Sequence, residues 1–108
     1  MIIKNEDVES EKLDEKLSRK ILCSKDSLML VEVSFKKGGI GEVHSHSEHE
    51  QVSYIKKGSF EVTVEGEKKI LEVGDSFYAG KNIEHGVRAL EDAVILDVFT
   101  PPREEFLK

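Results

Sequence analysis

The stretch that decides the fold is residues 38–58, GGIGEVHSHSEHEQVSYIKKG, in which glycines enclose a histidine-rich segment. Three of the chain's four histidines, His44, His46 and His49, fall within six residues of this stretch. Residues two apart on a strand point to the same side, so His44 and His46 are predicted to present two imidazoles on one face, close enough to share a metal ion. Imidazole binds Zn, Ni, Fe and Cu, and also Mn in mixed sites. A chance cluster of surface histidines explains the bare pair equally well, so the flanking sequence has to decide.

Strands with a period of two flank this segment on both sides. Residues 29–35 alternate before it, and Phe60, Val62 and Val64 alternate with polar residues after it. Further short strands follow, and residues 85–90 and 93–99 are predicted to form a last hairpin. Pro101 and Pro102 then end the sheet, because proline cannot donate to a strand ladder. Many short strands without βαβ alternation predict an all-β sandwich or barrel.

The final predicted strand is apolar on both faces. Its two faces are Ala93, Ile95, Asp97 and Phe99 on one side, and Val94, Leu96 and Val98 on the other. Both faces are expected to be covered, one by the barrel interior and the other by a second sheet or a second subunit, which favours a homodimer. A carboxylate among apolar neighbours costs several kcal/mol unless it is paired or hydrated, so Asp97 is a candidate functional group.

A length of 108 residues is enough for one domain and not for two. Residues 1–27 are predicted to be an N-terminal arm that holds the first strand and either a short helix or an irregular segment, with Leu13 and Leu17 at a helical spacing. Residues 28–108 are predicted to form the barrel and a C-terminal tail.

Composition excludes several classes of partner. Acidic residues outnumber basic ones 22 to 16 and the net charge is −6, which argues against nucleic acid as a ligand. No apolar run approaches the roughly 20 residues of a membrane span. The first residues lack the basic and apolar pattern of a signal peptide, so the expected location is cytoplasmic. The single cysteine, Cys23, excludes an internal disulfide and is interpreted as a packing residue.

The spacing of the glycines and histidines resembles the two motifs of the cupin superfamily, whose fold is a double-stranded β-helix, a jelly-roll-like barrel. The matching residues are Gly38, His44, His46, Gln51 and Gly58 in the first motif, then Gly74 and His85 in the second. The resemblance implies a metal site made by His44, His46, Gln51 and His85. Gln51 rather than Glu50 holds the position of the family's usual acid, because the distance to Gly58 sets the register.

Some positions depart from those motifs. Gly80, Asn82 and Ala89 replace the proline, glycine and asparagine of the second motif, although asparagine tolerates the left-handed conformation of a turn. By strand parity, Glu50, the neighbour of Gln51, is expected to point away from the Gln51 side. His49 lies at the turn, where parity is least reliable, and is interpreted as a surface residue or a residue behind the metal ligands.

The C-terminal sequence carries a narrower resemblance. The strings Ala89-Leu90-Glu91-Asp92 and Asp97-Val98-Phe99-Thr100-Pro101-Pro102-Arg103, together with the histidine cluster, are similar to the pectin-degradation cupins of the KdgF type. That resemblance implies an enzyme that opens the ring of 4,5-unsaturated uronate monomers from pectin or alginate to give 5-keto-4-deoxyuronate. It implies Asp97 and Arg103 as catalytic residues, Phe99 and Arg103 as substrate-binding residues, and a divalent transition metal (Ni, Zn, Fe or Mn). The expected ligand is a small anionic sugar acid.

Two other functions remain open at this level: a non-catalytic metal-binding cupin that binds or senses a small carboxylic acid, and a cupin dioxygenase. A ligand set of three histidines and a glutamine is uncharged and leaves the ion its full charge, which favours binding a carboxylate over activating dioxygen. Individual residues have structural alternatives as well. They are a buried salt bridge from Asp97 to Arg103 or Arg88, which could coexist with its catalytic role, core packing for Phe99, and a solvated tail for Arg103.

Overall fold

The structure, a computed structural model, describes residues 1–107. Its strands in chain order are β1 (Glu11–Lys12), β2 (Leu17–Lys25), β3 (Leu28–Phe35), β4 (Ile40–His44), β5 (Glu50–Lys57), β6 (Ser59–Val64), β7 (Glu67–Glu72), β8 (Ser76–Ala79), β9 (His85–Ala89) and β10 (Ala93–Thr100). They form a six-stranded sheet, in the order β1-β2-β3-β10-β5-β8, and a four-stranded sheet, in the order β4-β9-β6-β7. The predicted all-β fold of two antiparallel sheets is confirmed. None of the helices within residues 1–107 is long and apolar enough to cross a membrane.

The hydrophobic core lies between the two sheets. Phe60 and Val62 of β6 are buried, as their alternation predicted. Phe60 meets Phe35 of β3 edge to face, with ring centroids 5.0 Å apart. Ile55 and Ile95 fill the same cluster from the six-stranded sheet. A second buried apolar cluster is formed by Met29, Val31 and Phe99.

Two turns have the conformations that the sequence suggested. Gly58 joins β5 to β6 with a φ of +72°, and a Cβ there would lie 2.5 Å from the carbonyl oxygen of Asp92. Only glycine fits such a position. Asn82, the replacement for a glycine, has a φ of 64°, in the left-handed region that asparagine tolerates.

The N-terminal segment is more extended than the spacing of its leucines suggested. Leu13 and Leu17 do not lie on a helix: residues Asn5–Asp7 form a 3-10 helix, and Leu17 begins β2, which pairs with β3. The side chain of Asp14 accepts hydrogen bonds from the backbone N–H groups of Lys16 and Leu17, which stabilises a turn at this point. Leu17 then packs against the core as a strand residue.

The predicted hairpin of residues 85–90 and 93–99 is wrong. β9 pairs with β4 and β6 in the four-stranded sheet, whereas β10 lies between β3 and β5 in the six-stranded sheet. The turn between them is therefore a crossing from one sheet to the other. The same turn residues suit a hairpin and a crossing between sheets. The strands that decide between the two arrangements are distant in sequence, so the local pattern did not distinguish them.

The two faces of β10 differ in burial. Ala93, Ile95 and Phe99 are buried on the inner face, while Val98 on the outer face is 39% exposed. Asp97 shares the inner face by strand parity. The central place of β10 in its sheet puts this carboxyl group inside the barrel.

Candidate metal and active site

Three histidines from separate segments meet at one end of the barrel. His44 ends β4, His46 lies in the loop that follows, and His85 begins β9. His44 and His85 are directly paired across the β4–β9 ladder. One ring nitrogen from each of the three histidines lies within 4.8 Å of the others.

Backbone carbonyls fix the orientation of two of these rings. The Nδ1 of His44 donates to the carbonyl oxygen of Glu42, and the Nδ1 of His85 donates to that of Ile83 at 2.9 Å. A neutral imidazole has one N–H, so its Nε2 is left with a free lone pair. Hydrogen bonds of this kind orient the histidine ligands of metal ions.

The spacing of the free nitrogens fits a metal ion. The Nε2 atoms of His44 and His46 are 3.2 Å apart, and ligands each about 2.1 Å from one ion lie roughly 3.0–3.4 Å apart. The Nε2 of His85 is buried and has no hydrogen-bond partner in the part of the chain that the structure describes. An orphaned buried nitrogen beside two others is unfavourable in a purely structural cluster, since buried polar atoms normally have a partner. The three nitrogens are therefore suited to sharing an ion.

The electrostatics disfavour the protonated forms of His46 and His85. Burial first, and then the positive charge of Arg103 and the other histidines, together lower the pKa of His46 to about 4. Burial also lowers the pKa of His85, although the hydrogen bond to the backbone of Ile83 acts to raise it. Because a metal ion displaces protons from its ligands, neutral imidazoles at pH 7 bind it without that cost.

Gln51 lies on β5 and is 6% exposed. It lines a cavity of about 140 Å³ together with His44, His85, Asp97 and Arg103. The amide nitrogen of Gln51 donates to Ser53 Oγ at 3.0 Å, and Ser53 Oγ in turn donates to Asp97 Oδ1 at 2.5 Å. Hydrogen bonds thus connect a predicted metal ligand to the predicted catalytic carboxyl group.

Asp97 is held inside the barrel without a basic partner among residues 1–107. Its burial raises the pKa of Asp97 to about 6, while the hydrogen bond from Ser53 and the charge of Arg103 act in the opposite direction. The alternative of a salt bridge to Arg103 or Arg88 is wrong for residues 1–107: Arg103 pairs with Glu105 at 2.8 Å and Arg88 with Glu61 at 3.6 Å. Asp97 is therefore a carboxyl group whose protonated form is readily accessible.

This burial makes a measurable prediction for the metal-free protein. The stability of Asp97→Asn relative to the wild type is expected to rise between about pH 4 and about pH 6. In that range the folded chain holds the Asp97 proton that the unfolded chain has released, so the wild type loses up to about 1.4 kcal/mol per pH unit. Urea unfolding across the range measures the difference.

The difference between variants is the informative quantity. His46 and His85 contribute a slope of the opposite sign, because their lowered pKa values leave the folded state less protonated than the unfolded state. Asp26→Asn, in the exposed turn between β2 and β3, is the matched control and should follow the wild type. Parallel curves for wild type and Asp97→Asn would contradict the prediction.

Arg103 folds back over the mouth of the cavity. Its guanidinium carbon lies 5.3 Å from the ring centre of Phe99 and 4.1 Å from that of Phe106. Phe99 is buried and meets Phe106 edge to face, with ring centroids 6.0 Å apart. Phe99 therefore serves as core and cavity wall at once, and Arg103 is packed against the barrel, not solvated as a free tail.

Three residues of the site were missed from the sequence: Arg19 and Phe106, which line the cavity, and Ser53, which is hydrogen-bonded to Gln51 and Asp97. The guanidinium carbon of Arg19 lies 3.9 Å from the centre of the Phe106 ring, and the buried Nε of Arg19 has no hydrogen-bond partner within residues 1–107. The signal for Arg19 was its parity with Leu17 and Ile21, which places a cation on an otherwise apolar face of β2. No local pattern distinguished Ser53 from other serines.

His49 lies outside the group of three ring nitrogens. Its Nδ1 donates to the carbonyl oxygen of Pro101 at 2.9 Å, and its ring centroid is 5.9 Å from that of His46. It therefore tethers the C-terminal segment beside the cluster, which agrees with its interpretation as a residue behind the ligands.

The chain has well-matched relatives among known proteins. The cupin domain family matches residues 31–99. The chain is 49% identical over 98 residues to the pectin degradation protein KdgF of Dickeya dadantii (strain 3937), covering 90% of this chain and 89% of that protein. The structure of KdgF from Halomonas sp. superimposes with a TM-score of 0.95 at 36% identity, over 98% of this chain and 97% of that one. An RmlC-like cupin from Shewanella frigidimarina gives a TM-score of 0.91 at 39% identity, over 95% and 92% of the two chains.

Proposed function

The chain belongs to the cupin family, with a pectin degradation protein as a relative, and we propose that it opens the ring of 4,5-unsaturated uronate monomers to give 5-keto-4-deoxyuronate. The observation that carries the proposal is that Asp97, Arg103, His44 and His85 line one cavity, with His46 grouped beside the two histidines. Their chemistry matches a substrate that is a cyclic hemiacetal with a carboxylate beside its ring enol ether.

Asp97 is proposed to move the protons. Ring opening removes the proton of the anomeric hydroxyl, and the C1–O5 bond breaks to leave an aldehyde and an enolate. Protonation at C4 then gives the ketone, so one proton is taken and one is returned. A carboxyl group with a pKa of about 6 exchanges protons efficiently near neutral pH.

Arg103 is proposed to hold the substrate carboxylate. A guanidinium presents a planar fork of donors that matches a carboxylate in a bidentate pair. The Phe99 ring beneath it excludes water and supports the apolar edge of the sugar. A small anionic sugar acid is thus the proposed ligand.

The metal is proposed to be held by His44, His46, Gln51 and His85, as a divalent transition ion of the Ni, Zn, Fe or Mn group. When bound, such an ion supplies Lewis acidity for negative charge that develops on the substrate oxygens. The neutral ligand set leaves its charge undiminished. Asp97 is not counted among the ligands, because Ser53 already engages it.

The test is an activity assay with the metal-loaded protein and a 4,5-unsaturated uronate monomer. The ultraviolet absorbance of the conjugated alkene should disappear faster than in a control without enzyme, since ring opening also proceeds spontaneously. Absence of acceleration with metal bound would reject the proposal. Tight binding of the uronate without turnover would identify a small-acid-binding cupin instead, and iron-dependent consumption of dioxygen would identify a dioxygenase.

We also propose that the protein is a cytoplasmic homodimer. The free thiol of Cys23 suits a reducing compartment. Leu30, Val98, Val52 and Tyr78 are cross-strand neighbours on the outer face of the six-stranded sheet, and the last three are 39%, 47% and 56% exposed. A row of this kind is self-complementary about a two-fold axis, which supports a second copy of the chain as the occupant.

Val52→Lys is expected to convert the dimer to a monomer at micromolar concentration. A lysine in the centre of this row places two ammonium groups in an apolar contact. Light scattering coupled to size exclusion measures the mass. Ile70→Lys is the matched control, because Ile70 is 63% exposed on β7 of the other sheet. A wild type that is monomeric, or a Val52→Lys variant that remains dimeric, would contradict this assignment.

A further inference from the structure

Ser53 occupies the one hydrogen-bonded path between Gln51 and Asp97 in the described structure. It is 0% exposed, and its Oγ accepts from Gln51 Nε2 at 3.0 Å and donates to Asp97 Oδ1 at 2.5 Å. Ser53 and Asp97 are direct cross-strand partners on β5 and β10. The strand register therefore holds the hydroxyl beside the carboxyl group.

The chemistry of the three groups gives this path a direction. A carboxylate only accepts hydrogen bonds, so the single proton of the Ser53 hydroxyl goes to Asp97. The Ser53 oxygen can then only accept, and the amide atom of Gln51 able to donate to it is Nε2. The Oε1 of Gln51 is consequently the amide atom left free. A carbonyl-type oxygen is also the amide atom that binds a metal ion.

We propose that Ser53 is a positioning residue that fixes the amide of Gln51 with its oxygen free for the metal, and that orients the carboxyl group of Asp97. The role at Asp97 rests on the proposed function, whereas the role at Gln51 rests on metal binding alone. Without the hydroxyl, the amide nitrogen loses its partner and the amide can turn its N–H₂ group toward the imidazoles, where it cannot act as a ligand.

Packing alone does not account for a hydroxyl at this position. Ser53 lies on the inner face of β5 beside Ile55, and β10 contributes Ile95 close by, both of which are buried. A valine would bury more apolar area here and suits a strand better than serine. Burying the hydroxyl costs desolvation free energy, which its hydrogen bonds to Gln51 and Asp97 offset.

The experiment compares Ser53→Thr, which keeps the hydroxyl, with Ser53→Val. Valine has the shape of threonine but has a methyl group in place of the hydroxyl. Calorimetric titration of the metal-free protein with Ni²⁺ or Zn²⁺ measures affinity, which is independent of turnover. Ser53→Val is expected to bind about 10- to 100-fold more weakly, as for other partners behind metal ligands. Ser53→Thr should remain within a few-fold of the wild type. With a uronate substrate, Ser53→Val should lower kcat while KM changes little.

Additional variants keep the outcome decisive. Ser53→Ala removes the hydroxyl without adding a methyl group, so it should behave as Ser53→Val even if the larger side chains disturb the fold. Thr63→Val on β6 removes a hydroxyl outside the cavity and should change nothing. Wild-type affinity in Ser53→Ala or Ser53→Val would overturn the proposal, as would equal loss in Ser53→Thr and Ser53→Val with none in Ser53→Ala. A wild type without turnover would reject the proposed function, yet the metal titration would still decide the role at Gln51.

Discussion

Asp97→Asn is expected to lower kcat for uronate ring opening by about 10²- to 10⁴-fold, the usual contribution of a positioned acid–base group. Asparagine has nearly the shape of aspartate and its oxygen can still accept from Ser53, so the hydrogen-bonded path survives. What is lost is the ability to take a proton from the anomeric hydroxyl and return one at C4. Initial rates of alkene loss, corrected for the spontaneous reaction, measure the effect.

Metal content is the essential companion measurement. Asp97 is separated from Gln51 by Ser53, so Asp97→Asn should keep the metal stoichiometry of the wild type. Asp92→Asn, in an exposed turn at the other end of β10, is a suitable control and should retain its rate. Full activity in Asp97→Asn would assign the proton transfer elsewhere. A loss of metal would show that the variant acts through the ligands.

The inward position of Asp97 was predictable, and its partner was not. The local sequence predicts this position, because side chains alternate along a strand and Ile95, Asp97 and Phe99 therefore share one face. The same alternation correctly predicted that Phe60 and Val62 are buried. The sequence alternatives for Asp97 were salt bridges to Arg103 or Arg88, whereas its partner is Ser53, which is 44 residues away in the chain. Only the register between β5 and β10 joins them.

Pairing between distant strands explains the other failures as well. Residues 85–90 and 93–99 were adjacent and apolar enough for a hairpin, yet each strand has partners elsewhere that take both of its edges. Leu13 and Leu17 had helical spacing, but β3 offers Leu17 a ladder and a buried position. The resemblance to the cupin motifs, by contrast, correctly predicted that His85 lies beside His44 and His46. Such motifs carry information on long-range strand pairing that local periodicity lacks.

His85→Ala is expected to abolish metal binding at micromolar metal and to leave turnover near the spontaneous rate. His85 is 3% exposed, and its Nε2 lies among the imidazole nitrogens of the cluster with no hydrogen-bond partner in the described residues. Loss of one of three imidazoles should weaken binding by more than the 10- to 100-fold that changes behind the ligands cause. A lost Lewis-acid contribution of several kcal/mol corresponds to a rate loss of about 10³-fold or more.

His49→Ala is the matched control, because it removes an imidazole from the same end of the barrel but from outside the group of three nitrogens. The His49→Ala variant should keep its metal. It should lose only the hydrogen bond to Pro101, which helps to position Arg103. The rise in melting temperature on adding metal separates the two variants without any substrate: His49→Ala should retain it and His85→Ala should not. Equal retention in both variants would mean that the ion sits elsewhere. Equal loss in both would make His49 a ligand, because its link to Pro101 alone would not hold an ion.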